Sequence, residues 1–175
     1  MDNADRSTDA SGRPSSLARV VEDGVFAGMI GALLVALWFL VLDAFAGHPL
    51  FTPSLLGAVL LHGVDPTQYS AVEAQNVAIY TALHFVAFIL LGTLASYLFT
   101  LLDRYPVMGI VLIFLMVFFE VGFFALDLAL GGHLMGRLHA WAVAVANLLA
   151  GVGMAGYLWW RHPTAVRMLQ RVWED

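Results

Sequence analysis

Between Pro106 and Leu130 the chain reads PVMGIVLIFLMVFFEVGFFALDLAL, with Glu120 and Asp127 as the only charged residues of the run. A globular helix shows an apolar stripe and an opposite polar face. An apolar stretch of about 20 residues instead matches the hydrocarbon core of a bilayer. Comparable runs lie at 22–46, 71–102 and 135–161. The 175-residue chain is 61% hydrophobic and 12% charged, against about 45–50% and about 25% in soluble domains. The expected fold is therefore all-α and polytopic: a four-transmembrane-helix bundle. No cysteine is present, which excludes disulfides, iron–sulfur clusters, thiolate metal sites and cysteine catalysis. A net charge of −5, thinly spread, offers no surface for nucleic acid.

The segments between the runs carry their own signals. Residues 1–18 are polar and without apolar periodicity, the composition of a disordered tail. Arg13 and Arg19 stand before the first run, but that run is too long for a signal peptide and lacks a clear cleavage site, so it reads as an uncleaved first span. Gly24, Gly28 and Gly31 let another helix approach closely, either inside the chain or across a dimer. In 48–66, Thr52 suits a cap, Pro53 a first helical position and Gly63 the position past a helix end. The helix so bounded, 53–62, is roughly 15 Å long, about half of a bilayer core. A short re-entrant or interfacial helix between spans 1 and 2 is expected there.

Ser70 and Glu73 have capping-box spacing, which places the second helix start at about residue 71. That span runs to Leu102, and 103–106 forms a tight turn into the third. Small-residue rows, Ala142/Ala146/Ala150 and Gly151/Ala155, mark the fourth. The transmembrane domain covers 19–162. The tail 163–175 sets Val166, Leu169, Val172 and Trp173 against Arg167 and Arg171, a pattern for an amphipathic helix in the headgroup plane. The sequences around Leu42-Asp43…Gly47-His48 and Leu126-Asp127…Gly132-His133 fit either a weak internal repeat or chance likeness between Leu-, Ala- and Gly-rich helices.

Every fixed positive charge is an arginine. With four spans, one side receives both termini and Arg6, Arg13, Arg19, Arg104, Arg161, Arg167 and Arg171, and the other receives Arg137. The positive-inside rule then places both termini in the cytoplasm, with the chain multi-pass in the cytoplasmic (inner) membrane.

Ionisable residues inside spans are costly in lipid and are expected to face protein or water with a partner. Counting along each span at 1.5 Å per residue puts Glu120 and Asn147 roughly 20 Å deep, and His84 roughly 27 Å deep. Asp43, Asp127, His139 and Tyr80 fall at roughly 31–33 Å, near the outer interface. The candidate site is this intramembrane polar cluster: His84, Glu120, Asp127, Asn147, Asp43, His139 and Tyr80. Its expected core is a neutral Glu120 hydrogen-bonded to His84 or Asn147.

Three functions fit the cluster. The leading one is a non-enzymatic accessory or scaffolding subunit, in which the cluster specifies packing and the surroundings are the lipid bilayer and a partner membrane protein or a homo-oligomer. The second is a proton or cation pathway component built on an outward-open polar cup of Glu120, His84 and Asp127. The third is a membrane-embedded protein binding a transition metal or haem, with His84, Glu120, Asp127 and His139 as the ligand types. The third lacks the Glu-x-x-His and His-x-x-x-His spacings of helical metal sites, so no cofactor is expected.

Overall fold

The computed structural model describes residues 16–102 and 138–162, with positions 111, 114, 117, 121, 122, 125 and 128 between them. Among the described residues there are four helices and no strand: α1 (Ser16–Phe45), α2 (Phe51–His62), α3 (Ala74–Leu102) and α4 (Ala140–Arg161). α1, α3 and α4 are long and apolar enough to cross a membrane, and α2 is a shorter apolar helix. At 1.5 Å per residue they measure about 45, 43 and 33 Å, each at least the roughly 30 Å of a hydrocarbon core. The described positions between 111 and 128 are helical, and Phe114, Val117, Val121 and Leu128 among them are well exposed. The rest of the expected third span, including Glu120 and Asp127, lies outside the described residues, as do the N-terminal 1–15 and the tail from 163 onward.

α1 touches all the other described helices, and α3 and α4 touch each other little. Its junction with α3 is made by glycine. A Cβ on Gly24 would collide with the Thr93 backbone, and one on Gly28 with the Phe88 carbonyl and the Ile89 Cα. From the other side, a Cβ on Gly92 would strike the Gly24 carbonyl and the Gly28 amide. Lipid tails are as apolar as leucine, so apolar burial gives little drive between spans and van der Waals contact matters more. Glycines that bring two backbones together maximise that contact. The Gly24/Gly28 stripe therefore packs within the chain. Gly31, further along α1, faces the Met154 side chain of α4 and the Phe88 ring.

The pairings fix helix direction. Along α1, Gly24 meets Thr93, Gly28 meets Phe88–Ile89, and the Ala32 carbonyl meets His84, so α1 and α3 are antiparallel. Likewise Asp23 meets Arg161, Phe26 meets Tyr157, Ile30 and Leu34 meet Gly153, and Trp38 meets Ala142, so α1 and α4 are antiparallel. α3 and α4 consequently run in the same direction. Their last turns come together, with the Phe99 and His162 rings 6.2 Å apart.

Buried side chains form two clusters. One joins Ala27, Ala95, Phe99, Met154 and Leu158 towards the Asp23 end. The other centres on α2: Leu55, Leu56, Ala58 and Val59 pack with Tyr69, Leu138 and Val143, flanked by Phe39 and Tyr80. Thr52 and all residues from Ser54 to Val59 are buried, so α2 is covered on more than one face. α2 ends where expected: Gly63 has φ 61° and its N–H donates to the Val59 carbonyl.

The helix starts depart from the sequence reading. α1 begins at Ser16, ahead of residue 22, because Leu17, Ala18, Val20 and Val21 continue the apolar helix past Arg19. α3 begins at Ala74 and not at residue 71. Ser70 is exposed, and the Glu73 N–H is taken by the Ser54 hydroxyl of α2 at 2.8 Å. The capping group comes from a neighbouring helix, which local spacing does not report.

Candidate functional site

α1 closes in a Schellman motif. Gly47 stands at φ 79°, its N–H donates to the Ala44 carbonyl (3.1 Å), and the His48 N–H donates to the Asp43 carbonyl (2.9 Å). That reversal turns the chain back so that Asp43, in the last turn of α1, faces the first turn of α2. The Thr52 N–H donates to Asp43 Oδ2 and the Thr52 hydroxyl to Asp43 Oδ1, both at 2.7 Å. α2 begins after Leu50, at φ 67°, without a side-chain cap from its own first residue. Asp43 supplies the cap. Thr52, expected to cap α2 itself, is the donor in that arrangement.

A second polar group sits beneath α2. Ser54 Oγ lies 2.7 Å from the Tyr69 hydroxyl and accepts the Glu73 N–H. Asn76 Nδ2 donates to the Tyr69 hydroxyl (3.2 Å) and to Glu73 Oε2 (3.1 Å). Ser54 and Asn76 are fully buried, so these bonds replace water that has no access. The network ties α2, the 63–73 connection and the start of α3 into one unit.

Beside Asp43 a cleft of about 520 Å³ opens to the outside. Its walls come from the end of α1, the start of α2 and the start of α4, and include Asp43, His48, Phe51, Thr52, His139 and Trp141. Trp38 Nε1–H donates to the Ala142 carbonyl at 2.9 Å, and its ring meets Trp141 edge-on at 6.1 Å, which fixes the α4 wall. Leu50 and His139 are the described non-glycine residues with positive φ, 67° and 59°. His139 lines the cleft and Leu50 lies on the turn entering α2. Such backbone conformations are held only by the structure around them.

The expected cluster is distributed as follows. Asp43 and His139 share the cleft wall. Tyr80 and His84 stack one turn apart on α3, centroids 5.7 Å apart, and Tyr80 packs against the α2 core. His84 Nε2 lies 3.2 Å from the Ala32 carbonyl, so the ring with hydrogen on Nε2 donates to α1. Phe88 covers the same ring at 4.7 Å. Asn147 is half-buried on α4. Glu120 and Asp127 lie outside the described residues. Further along α3, Thr93 and Thr100 donate to their own helix, to the Ile89 and Ser96 carbonyls. Among the described residues no three His, Asp or Glu side chains are placed to hold a metal ion.

At the opposite end, Arg161 Nε donates to Asp23 Oδ1 at 2.7 Å, and His162 Nε2 stands 3.6 Å from Asp23 Oδ2. Neither this pair nor the Ser54–Tyr69–Asn76 group was among the sequence candidates. A signal for the pair existed: α1 and α4 are antiparallel, so an acidic residue early in α1 and a basic one late in α4 share a level. No family model, no curated protein and no solved structure matches the chain.

Proposed function

We propose that the chain is a four-span protein of the cytoplasmic membrane with both termini in the cytoplasm, acting as a non-enzymatic accessory or scaffolding subunit. The parallel course of α3 and α4 supports four spans. α3 finishes beside His162 and α4 starts beside Trp38, so the end of α3 and the start of α4 lie at opposite ends of α1. The apolar run 106–130 is long enough to join them as a fourth crossing. The arginines support the orientation: Arg19 and Arg161 lie at the Asp23 end, which becomes cytoplasmic and makes the α2 end external. On this reading α2 is re-entrant or lies at the outer interface.

The observation that carries the scaffolding role is where the polar side chains go. Asp43, Ser54, Trp38, His84 and Asp23 each bond a different segment of the chain, at a helix end or a carbonyl. They position helices and leave the lipid-facing sides of α1, α3 and α4 free for a partner membrane protein or a second copy.

Two experiments test this. Because the chain has no cysteine, single-cysteine variants report sidedness directly. Arg104→Cys is expected to react from the cytoplasm, and Gln68→Cys and His133→Cys from outside. Labelling of Arg104→Cys and His133→Cys from one side would overturn the four-span reading. For the role, native mass spectrometry after purification in mild detergent is expected to return a stoichiometric complex. A monomer that conducts protons or cations in liposomes, with flux lost in His84→Ala, would overturn it.

A further inference from the structure

We infer that the cleft between the end of α1 and the starts of α2 and α4 binds an ammonium group, with Asp43 as its counter-charge. The cleft volume of about 520 Å³ falls within the roughly 300–1,000 Å³ of small-molecule sites. Asp43 is 7% exposed and stands in its wall. Each carboxylate oxygen takes one hydrogen bond from Thr52, and an ionised carboxylate offers about four acceptor positions. The Phe51 N–H also bears on the carboxylate, which leaves about one position for a ligand.

Among the described residues no arginine forms an ion pair with Asp43. The described groups in the lining that can carry positive charge are the His48 and His139 imidazoles. The remaining walls mix the rings of Phe39, Phe51 and Trp141 with aliphatic side chains such as Leu42 and Leu138. A buried carboxylate among aromatic faces suits a cation that sheds its water, since ring faces attract ammonium. A metal ion is disfavoured, because no three described ligands converge. An anion is opposed by Asp43. His48 and His139, also in the lining, can donate to a phosphate attached to the ammonium. The chemistry is thus that of an ethanolammonium group, either on a phospholipid of the leaflet at the α2 end or on a soluble amine.

The test uses the full chain in mild detergent with two probes. Ethanolammonium chloride in solution is titrated against tryptophan fluorescence, which Trp38 and Trp141 report at the cleft. Phosphatidylethanolamine is compared with phosphatidylglycerol by native mass spectrometry. The variant Asp43→Asn keeps an acceptor for the Thr52 N–H and a donor for its hydroxyl while deleting the charge. Saturable binding of either probe is expected, weakened about tenfold or more in Asp43→Asn; the probe that binds identifies the source. Trp141→Leu is expected to weaken it about threefold or more, from loss of the cation–ring attraction. If neither probe binds saturably, or if folded Asp43→Asn binds as the parent does, the inference is overturned. If Asp43→Asn fails to fold, Trp141→Leu decides: weakened binding supports the site and unchanged binding overturns it.

Discussion

At the α2 end, Asp43 and Ser54 each reach from one helix to cap the first turn of another, whereas towards the Asp23 end Gly24, Gly28 and Gly92 bring α1 and α3 into direct backbone contact. The two arrangements do different jobs. Hydrogen bonds are directional, so at the α2 end they settle which residue meets which, and they turn a short helix back against longer ones. Glycine contacts set how close two helices lie and favour a long shared surface. A helix end in an apolar setting leaves N–H groups that need partners, so polar bonding belongs where helices start. Mid-helix backbone is already satisfied, so there a missing Cβ serves best.

The glycine side of this contrast is the easier to break. Gly28→Leu puts a branched side chain where the Phe88 carbonyl and Ile89 Cα already are. Neither can swing aside, so α1 and α3 must separate. Overpacking ordinarily costs about 1–3 kcal/mol, and backbone neighbours put this substitution at about 3 kcal/mol or more. Thermal unfolding in detergent is expected to show a large loss or no folded protein. Gly156→Ala is the control: no atom of the described residues lies within 4 Å of its Cβ position, and the helix gains up to about 1 kcal/mol. Equal effects at Gly28 and Gly156 would erase the distinction.

The hydrogen-bonded side is expected to respond more moderately. Asp43→Ala removes a cap and strands both Thr52 donors, at about 2–3 kcal/mol, while Asp43→Asn stays within about 1 kcal/mol of the parent because both bonds can re-form. Ser54→Ala withdraws the acceptor of the Glu73 N–H and a partner of Tyr69, for about 1–2 kcal/mol. Hydrogen exchange at the first turn of α3 should rise in that variant more than exchange in α4. The smallest effect is expected at the opposite end. Arg161→Gln breaks a pair between an arginine side chain 37% exposed and an aspartate side chain 7% exposed. Exposed pairs contribute about 0–1 kcal/mol, and with His162 still 3.6 Å from the buried Asp23 a loss of about 1 kcal/mol is expected. Raising salt should shrink even that difference in the parent.

What could be read in the sequence follows from the same contrast. Apolar length gave α1, α3 and α4 as helices long and apolar enough to cross a membrane, because length and composition are local. Gly63 gave the end of α2 and Gly24/Gly28 a close approach, because a glycine has few other reasons to stand there. Partners across space were not legible. Ser70 has the spacing of a cap, but Ser54 caps α3. Thr52 has the identity of a cap, but Asp43 does the capping. Counting along a helix gave His84 a depth but no azimuth, and its ring faces Ala32 of α1. The direction of α3 relative to α4 also required tertiary contacts.

The central claim is that Asp43 serves the fold as a cap joining α1 to α2. A double-mutant cycle on unfolding free energy, with Asp43→Ala, Thr52→Val and the pair together, tests it most directly. Thr52→Val deletes the hydroxyl bond to Asp43 Oδ1 and keeps the N–H bond to Oδ2, so the cycle isolates the side-chain half of the junction. Residues in direct contact couple by about 0.5–3 kcal/mol, and a coupling of about 1 kcal/mol is expected here. Additive effects, with the double variant losing the sum of the two single losses, would contradict the account.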